Sequence, residues 1–226
     1  MIIKNNALFL ADVHFNHLRR DVLPLLKKIK NKELEVSQLF LMGDIFDFLC
    51  SEVEYFQDIN YELIDILNDI SIQVETIYFE GNHDYNLQEI FPKIEVFPRG
   101  QQPQYGLLKN KKVALSHGDI FTPKGYEIYT AIMRNSTFLT FLDLINIDNW
   151  LAKTVEDKLK YKKICKEMTH FDDFVSKRKK YYKADIIIEG HFHQGYIDEE
   201  YINIPSFACD NEYMIYQDEQ FKFIKV

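Results

Sequence analysis

Glu75-Thr76-Ile77-Tyr78-Phe79, followed by Glu80 and then Gly81-Asn82-His83-Asp84, is the stretch whose reading decides the fold. The first five residues read as a buried strand. The strand breaks at a glycine and presents Asn, His and Asp at its tip. Such a tip is poor packing material. It does place polar side chains at the C-terminal edge of a sheet, where α/β proteins build their sites. An Asn oxygen can bind a metal, a His can transfer a proton, and an Asp can orient the His.

Working outward, other apolar runs end the same way. Ala7 to Ala11 reads as a buried strand ending in Asp12-Val13-His14. Gln38 to Met42 reads as a second, ending in Gly43-Asp44-Ile45-Phe46-Asp47. Between these strands, Asp21 to Lys30 has helical spacing at Val22, Leu25, Leu26 and Ile29, with Pro24 tolerable in the first turn. Val53 to Ile70 reads as one amphipathic helix with Phe56, Ile59, Leu63, Ile66, Leu67 and Ile70 on one side. This βαβαβ order predicts a mostly parallel sheet. Beyond it, Tyr105 to Leu108 and Lys112 to Leu115 flank Lys109-Asn110-Lys111 as a hairpin, and the second arm ends in Ser116-His117-Gly118-Asp119. A long helical segment is expected from about Gly125 to Tyr182. Asp185 to Glu189 is another buried strand, ending in Gly190-His191-Phe192-His193, and the tail from Tyr196 holds short strands.

With 226 residues, the chain fits one large domain or a domain with an insertion. At 46% hydrophobic and 15% aromatic it can build a sizeable core, which excludes a disordered chain. Cys50, Cys165 and Cys209 are scattered with no CxxC spacing. That predicts a reducing compartment, without a disulfide framework or a thiolate zinc site. Met1 to Leu10 is too short for a signal sequence, and no window approaches the roughly 18 apolar residues of a membrane span. The expectation is a soluble cytoplasmic protein, with peripheral contact at an inner membrane surface left open.

The net charge of −8 is unevenly spread. Thr122 to Lys183 holds 13 Lys and Arg against 8 Asp and Glu, while the remainder holds 14 against 27. An acidic body argues against a nucleic-acid partner and suits a carboxylate-rich metal centre. The basic insert offers charge to an anionic ligand.

Five strand ends thus carry Asp12/His14, Asp44/Asp47, Asn82/His83/Asp84, His117/Asp119 and His191/His193; only His17 and His170 of the seven histidines lie elsewhere. A lone Asp-x-His is usually surface decoration. Five such ends, each after an apolar strand and most beside a glycine, are hard to explain as coincidence. Imidazoles with carboxylate and amide oxygens, and no thiolate, suit Mn²⁺, Zn²⁺ or Fe better than Ca²⁺. The set is too large for one ion and fits two, roughly 3.5–4 Å apart and sharing a carboxylate, a spacing matched to phosphoester hydrolysis. Asp44 is the natural bridge.

The order Asp12-x-His14, Gly43-Asp44-x-x-Asp47, Gly81-Asn82-His83-Asp84, His117 and Gly190-His191-x-His193 resembles the calcineurin-like metallophosphoesterase superfamily. The resemblance spans most of the chain. It implies an α/β fold, a four-layer α/β/β/α sandwich of two mixed sheets, with the helical insert over residues 122–183 of a single domain. It implies that one divalent metal takes Asp12, His14, Asp44 and His193, and a second takes Asp44, Asn82, His117 and His191, with Mn²⁺ favoured. His83 would face the phosphoryl group, Asp84 would orient His83, and Asp47 would support its motif rather than ligate.

The insert points to the substrate. Asn135 to Lys153 is apolar on more than one side, so it either packs fully or leaves a greasy face for a ligand. Two basic runs, Lys158 to Lys163 and Lys177 to Lys180, follow it. Chain length, the Gly-Asp-x-Phe-Asp form of the second motif and this insert are similar to the UDP-2,3-diacylglucosamine pyrophosphatases of lipid A synthesis. That resemblance implies an acylated nucleotide sugar as substrate, with Tyr129 and Arg134 binding it. The chain departs at His83, where the best-known members carry Arg; His83 follows the general superfamily pattern. A phosphodiesterase or phosphatase acting on nucleotides or other small phosphoesters is the second reading. A non-catalytic scaffold should have lost ligands, and this chain has lost none.

Overall fold

The computed structural model describes residues 1–226. Strands β1 (Ala7–Leu10), β2 (Gln38–Leu41), β3 (Glu75–Phe79) and β4 (Glu95–Phe97) run parallel at one end of a six-stranded sheet. Helices α1 (Val22–Lys30), α2 (Glu54–Ile59) and α3 (Tyr61–Ser71) connect them. The second sheet holds β5 (Gln104–Leu108), β6 (Lys111–Ser116), β7 (Ile186–Glu189), β8 (Tyr196–Ile197) and β9 (Tyr201–Asn203), in the order β5-β6-β7-β9-β8. The chain then returns through α8 (Phe207–Asp210) to complete the first sheet with β10 (Glu212–Gln217) and β11 (Gln220–Lys225), in the order β11-β10-β1-β2-β3-β4.

Period-two alternation builds the layers. Ala7, Phe9 and Ala11 face one side of β1 and meet Val113, Leu115, Ile186 and Ile188 of the other sheet, forming a core between the sheets. Leu8 and Leu10 face the opposite side and pack with α1 and α3 through Leu26, Ile29, Leu63 and Leu67. On the outer face of the second sheet, Ala114, Ile187 and Tyr201 meet Phe171 and Val175 of α7 (Phe171–Arg178). The result is the expected α/β/β/α sandwich of two mixed sheets.

Three expectations need correction. The helix expected over Val53 to Ile70 is two helices, split at Asn60. The Asn60 side-chain amide donates to the carbonyls of Phe56 (2.8 Å) and Phe48 (3.2 Å), occupying the Phe56 carbonyl that a continuing helix gives to a backbone N–H. Ile59, expected inside, is 40% exposed. The long segment expected from Gly125 to Tyr182 is four helices between β6 and β7: α4 (Lys124–Met133), α5 (Ser136–Leu144), α6 (Trp150–Lys160) and α7. Asn146 makes one break by accepting, through its side-chain oxygen, from the Leu151 (2.8 Å) and Ala152 (3.4 Å) N–H groups. A second break runs from Tyr161 to His170. Finally, Cys165 and Cys209 form a disulfide with their Cα atoms 5.6 Å apart, leaving Cys50 as the free thiol. A separation of 44 residues hid that pairing from spacing rules.

The insert returns to the body through one buried ion pair. Arg178 donates to both Glu189 carboxylate oxygens (2.7 and 3.0 Å) and to the carbonyls of Gly118 and Ile120 (both 2.7 Å). Tyr182, Tyr201 and Ser116 also donate to Glu189. Burial disfavours the Arg178 charge, but Glu189 outweighs it and its pKa is raised. Arg178→Met would strand the buried Glu189 carboxylate, and stability in urea denaturation should fall by about 3–5 kcal/mol. A loss below about 1 kcal/mol would show that the pair does not anchor the insert.

Candidate metal centre

The five strand ends converge. Asp12, His14 and His193 bring metal-ligating atoms within 4.8 Å of one another, and so do His14, Asp44 and His83, and Asp44, His117 and His191. Asp44 Oδ2 lies 3.6 Å from His117 Nε2 and 4.0 Å from His14 Nε2, while Asp12 Oδ1 lies 3.1 Å from His193 Nε2. Asp44 therefore sits between the two sets expected from the sequence.

Local backbone geometry explains the aim of these side chains. Asp12, His14, Asp44, His191 and His193 all have positive φ, between 46° and 65°. Non-glycine residues take this region at a cost, and such strain collects at functional sites. Two glycines make the fit possible. A Cβ on Gly81 would lie 2.2 Å from Asp44 Oδ1, and one on Gly43, at φ +85°, would lie 2.4 Å from His117 Nδ1.

Backbone carbonyls orient the rings. His117 Nδ1 donates to the Met42 carbonyl (2.8 Å), His83 Nδ1 to that of Asp47 (2.6 Å), and His193 Nδ1 to that of Ile164 (3.1 Å). A carbonyl can only accept, so each Nδ1 carries a proton and each ring turns its Nε2 inward. Burial disfavours charge on these rings, yet Asp44, Asp12 and Asp119 raise the His117 imidazolium to about 9. His191, buried and beside His117, falls to about 4. The Asp44 carboxyl is pushed up by burial, but His117, His83, His14 and His191 more than offset this and hold it well below the usual range.

A metal fits these residues. Asn82 Oδ1 and His14 Nε2 are buried without a hydrogen-bond partner, and Asp12 Oδ1 meets only the His193 ring. Buried polar atoms left unpaired are costly, and Asp12 and His14 belong to the cluster of oxygen and imidazole donors that suits such an ion.

The other residues singled out in the sequence fall elsewhere. The Asp84 carboxylate is not hydrogen-bonded to the His83 ring; it accepts from the N–H groups of Asp44, Ile45, Phe46 and Gly81 and from the Tyr78 hydroxyl. The His83 ring bonds instead to the Asp47 carbonyl, because Asp84 turns back into the loops. The Asp47 side chain accepts from Asn16 and Arg19, and its other oxygen lies 3.4 Å from His14 Nδ1. Asp119 is buried outside the cluster, paired with Arg99 (3.0 Å) and Arg134 (3.3 Å). Arg134 also donates to the Gly81 carbonyl (2.6 Å), which places it directly behind the Asn82 turn. Tyr129 is 57% exposed on α4, its ring near Tyr126 rather than the cluster. Sequence reading missed Lys162, whose Nζ lies 3.4 Å from His83 Nε2. Its only signal was membership of a basic run.

Residues 6–195 match the calcineurin-like phosphoesterase family. A curated relative from Histophilus somni (strain 129Pt), UDP-2,3-diacylglucosamine hydrolase, is 26% identical over 211 residues, covering 88% of each chain. A protein of the same name from Vibrio atlanticus (strain LGP32) is 24% identical over 216 residues, covering 90% of this chain and 84% of that one. A solved structure of Yfce, a phosphoesterase from E. coli, superposes with a TM-score of 0.48 at 14% identity, covering 97% of this chain and 92% of that chain. With the motif order, the converging His and Asp side chains and a match across most of its length, the chain belongs to the calcineurin-like phosphoesterase family, whose chemistry is metal-dependent phosphoester hydrolysis.

Proposed function

We propose that this protein hydrolyses the pyrophosphate of UDP-2,3-diacylglucosamine to a lipid monophosphate and UMP, at a centre holding two divalent cations, with Mn²⁺ favoured. The observation that carries the reading is an apolar cavity of about 210 Å³ whose lining includes Phe48, the residue after Asp47. Val53 and Phe56 line its body side; Leu139, Leu142 and Val155 line its insert side. An acyl chain fits such a lining. The names of the curated relatives point the same way. No helix is long and apolar enough to cross a membrane.

Asp12, His14, Asp44 and His193 would hold one cation, and Asp44, Asn82, His117 and His191 the other. When bound, the cations supply an activated water and offset charge on the phosphoryl oxygens. His83 faces the phosphoryl group through Nε2, with its Nδ1 proton held on the Asp47 carbonyl. Burial lowers its pKa and favours the neutral ring, while an anionic substrate beside it favours proton uptake. Lys162 adds a positive charge at the same edge. Asp84 acts through the loop it clamps, and Arg134 through the Gly81 turn.

His83 itself favours a second reading, hydrolysis of nucleotides or other small phosphoesters, because it follows the general superfamily pattern. The two separate on substrate. Mn²⁺-loaded protein should release UMP from UDP-2,3-diacylglucosamine; none released from pure substrate would sink the first reading. Asp44→Ala and His83→Ala should each lose about 10²–10⁴-fold in rate, and near-normal rates in both would refute the site. Leu142→Trp, filling the cavity, should lower turnover of the acylated substrate at least roughly tenfold while leaving bis-p-nitrophenyl phosphate unaffected. Equal effects on both would remove the cavity from substrate recognition.

Metal binding should depend on pH in a defined sense. With its pKa raised to about 9, His117 is protonated at neutral pH and must lose that proton to ligate. Mn²⁺ affinity measured by calorimetry should rise about tenfold per pH unit from ~7 and level off above ~9. A flat profile would argue against His117 as a ligand.

A further inference from the structure

The break between α6 and α7, residues 161–170, has no helix or strand along most of its length, yet it lies across the mouth of the cluster. Lys162 reaches His83, and the Ile164 carbonyl accepts from His193 Nδ1 at 3.1 Å. Further along, the Lys166 carbonyl accepts from the Gln194 amide (2.9 Å), and the Met168 N–H donates to the Gln194 side-chain oxygen (2.8 Å). Lys162, Lys166 and Met168 are exposed, and the two Gln194 bonds lie at a wet edge where water can replace them.

One strong tether remains. Cys165, next to Ile164, is bonded to Cys209 in α8. The start of α8 is fastened to the Asp12 strand end: Phe207 N–H donates to Ala11 (3.1 Å), Ala208 N–H to Asp12 (3.2 Å), and Ser206 Oγ to the same Asp12 carbonyl (2.9 Å). The disulfide therefore joins the segment lying on His193 to the turn lying on Asp12. The His193–Asp12 pair, 3.1 Å apart, lies between those two attachments.

We infer that the Cys165–Cys209 disulfide is a positioning element of the metal centre, making metal affinity and access to the cleft thiol-sensitive. Bonded, it keeps the Ile164 carbonyl on His193 Nδ1, so His193 presents Nε2 toward Asp12, and it keeps Lys162 over His83. Reduction by a dithiol breaks the S–S bond. The dithiol gives two electrons and two protons and becomes a disulfide, leaving Cys165 and Cys209 as thiols; a disulfide oxidant reverses the step. The freed segment then leaves His193 without its orienting carbonyl. The inference rests on the reading of the cluster as a metal centre, but the state of the segment is measurable without any metal.

The experiment uses the full chain in wild-type, Cys165→Ser, Cys209→Ser and Cys50→Ser forms. Maleimide labelling of unreduced, denatured wild type should modify one thiol, Cys50, and all three after phosphine reduction; three before reduction overturns the proposal. Trypsin should cut after Lys162, Lys163 and Lys166 roughly tenfold faster in Cys165→Ser, Cys209→Ser and reduced wild type, with Cys50→Ser unchanged. Mn²⁺ affinity should fall about 10–100-fold in the same three forms. Reduced wild type guards against a variant that misfolds. Unchanged cleavage, or Mn²⁺ binding equally well in every form, overturns the proposal. If wild type binds no Mn²⁺, the proposed metal centre fails, and the cleavage rates alone decide the tether.

Discussion

Everything at the centre depends on one carboxylate that never reaches it. Asp84 gathers the Asp44, Ile45, Phe46 and Gly81 N–H groups and the Tyr78 hydroxyl. These donors come from the loop after β2, from the turn after β3 and from β3 itself. Parallel strands leave their C-terminal loops unpaired, and a buried loop must find acceptors for its N–H groups. Asp84 is that acceptor, entirely buried. By locking the two loops together it sets Asp44 against Gly81 and brings the Asp44 carboxylate to the His83 N–H at 2.8 Å.

Around that clamp, the orientation of the rings is delegated to backbone oxygens. Met42, Asp47 and Ile164 each accept from the Nδ1 of a histidine. Two of these carbonyls belong to the β2 end and its loop. The third belongs to the insert. The centre is thus assembled partly from the rigid sheet and partly from a segment that the sheet does not hold. The insert makes a similar division in its own packing. Leu139 and Ala152 are buried against the body, while Phe141, Leu144, Ile147 and Trp150 face outward.

Local pattern determined much of this. Apolar runs ending in polar residues, most beside a glycine, identified β1, β2, β3, β6 and β7, and the helical spacing between the first three predicted a parallel arrangement. Because loops at the C-terminal ends of parallel strands meet at one edge, the sequence alone brought Asp12, His14, Asp44, His83, His117, His191 and His193 together. Strand β4, only three residues long, had too little pattern to read.

Tertiary structure decided what each polar group does. The single motif Gly81-Asn82-His83-Asp84 leaves its Asn oxygen buried and unpaired and sends its His to the Asp47 carbonyl, while its Asp turns back into the protein. Nothing in the spacing separates these fates, because they depend on which carbonyls and N–H groups the neighbouring loops leave unpaired. The same reason hid the helix break at Asn60, the capture of Asp119 by Arg99 and Arg134, and the Cys165–Cys209 bond. Periodicity records which face of an element is buried. Partners such as Asn60 and Phe48, Arg134 and Asp119, or Cys165 and Cys209, 12 to 44 residues apart, are decided only when the chain has set those segments side by side.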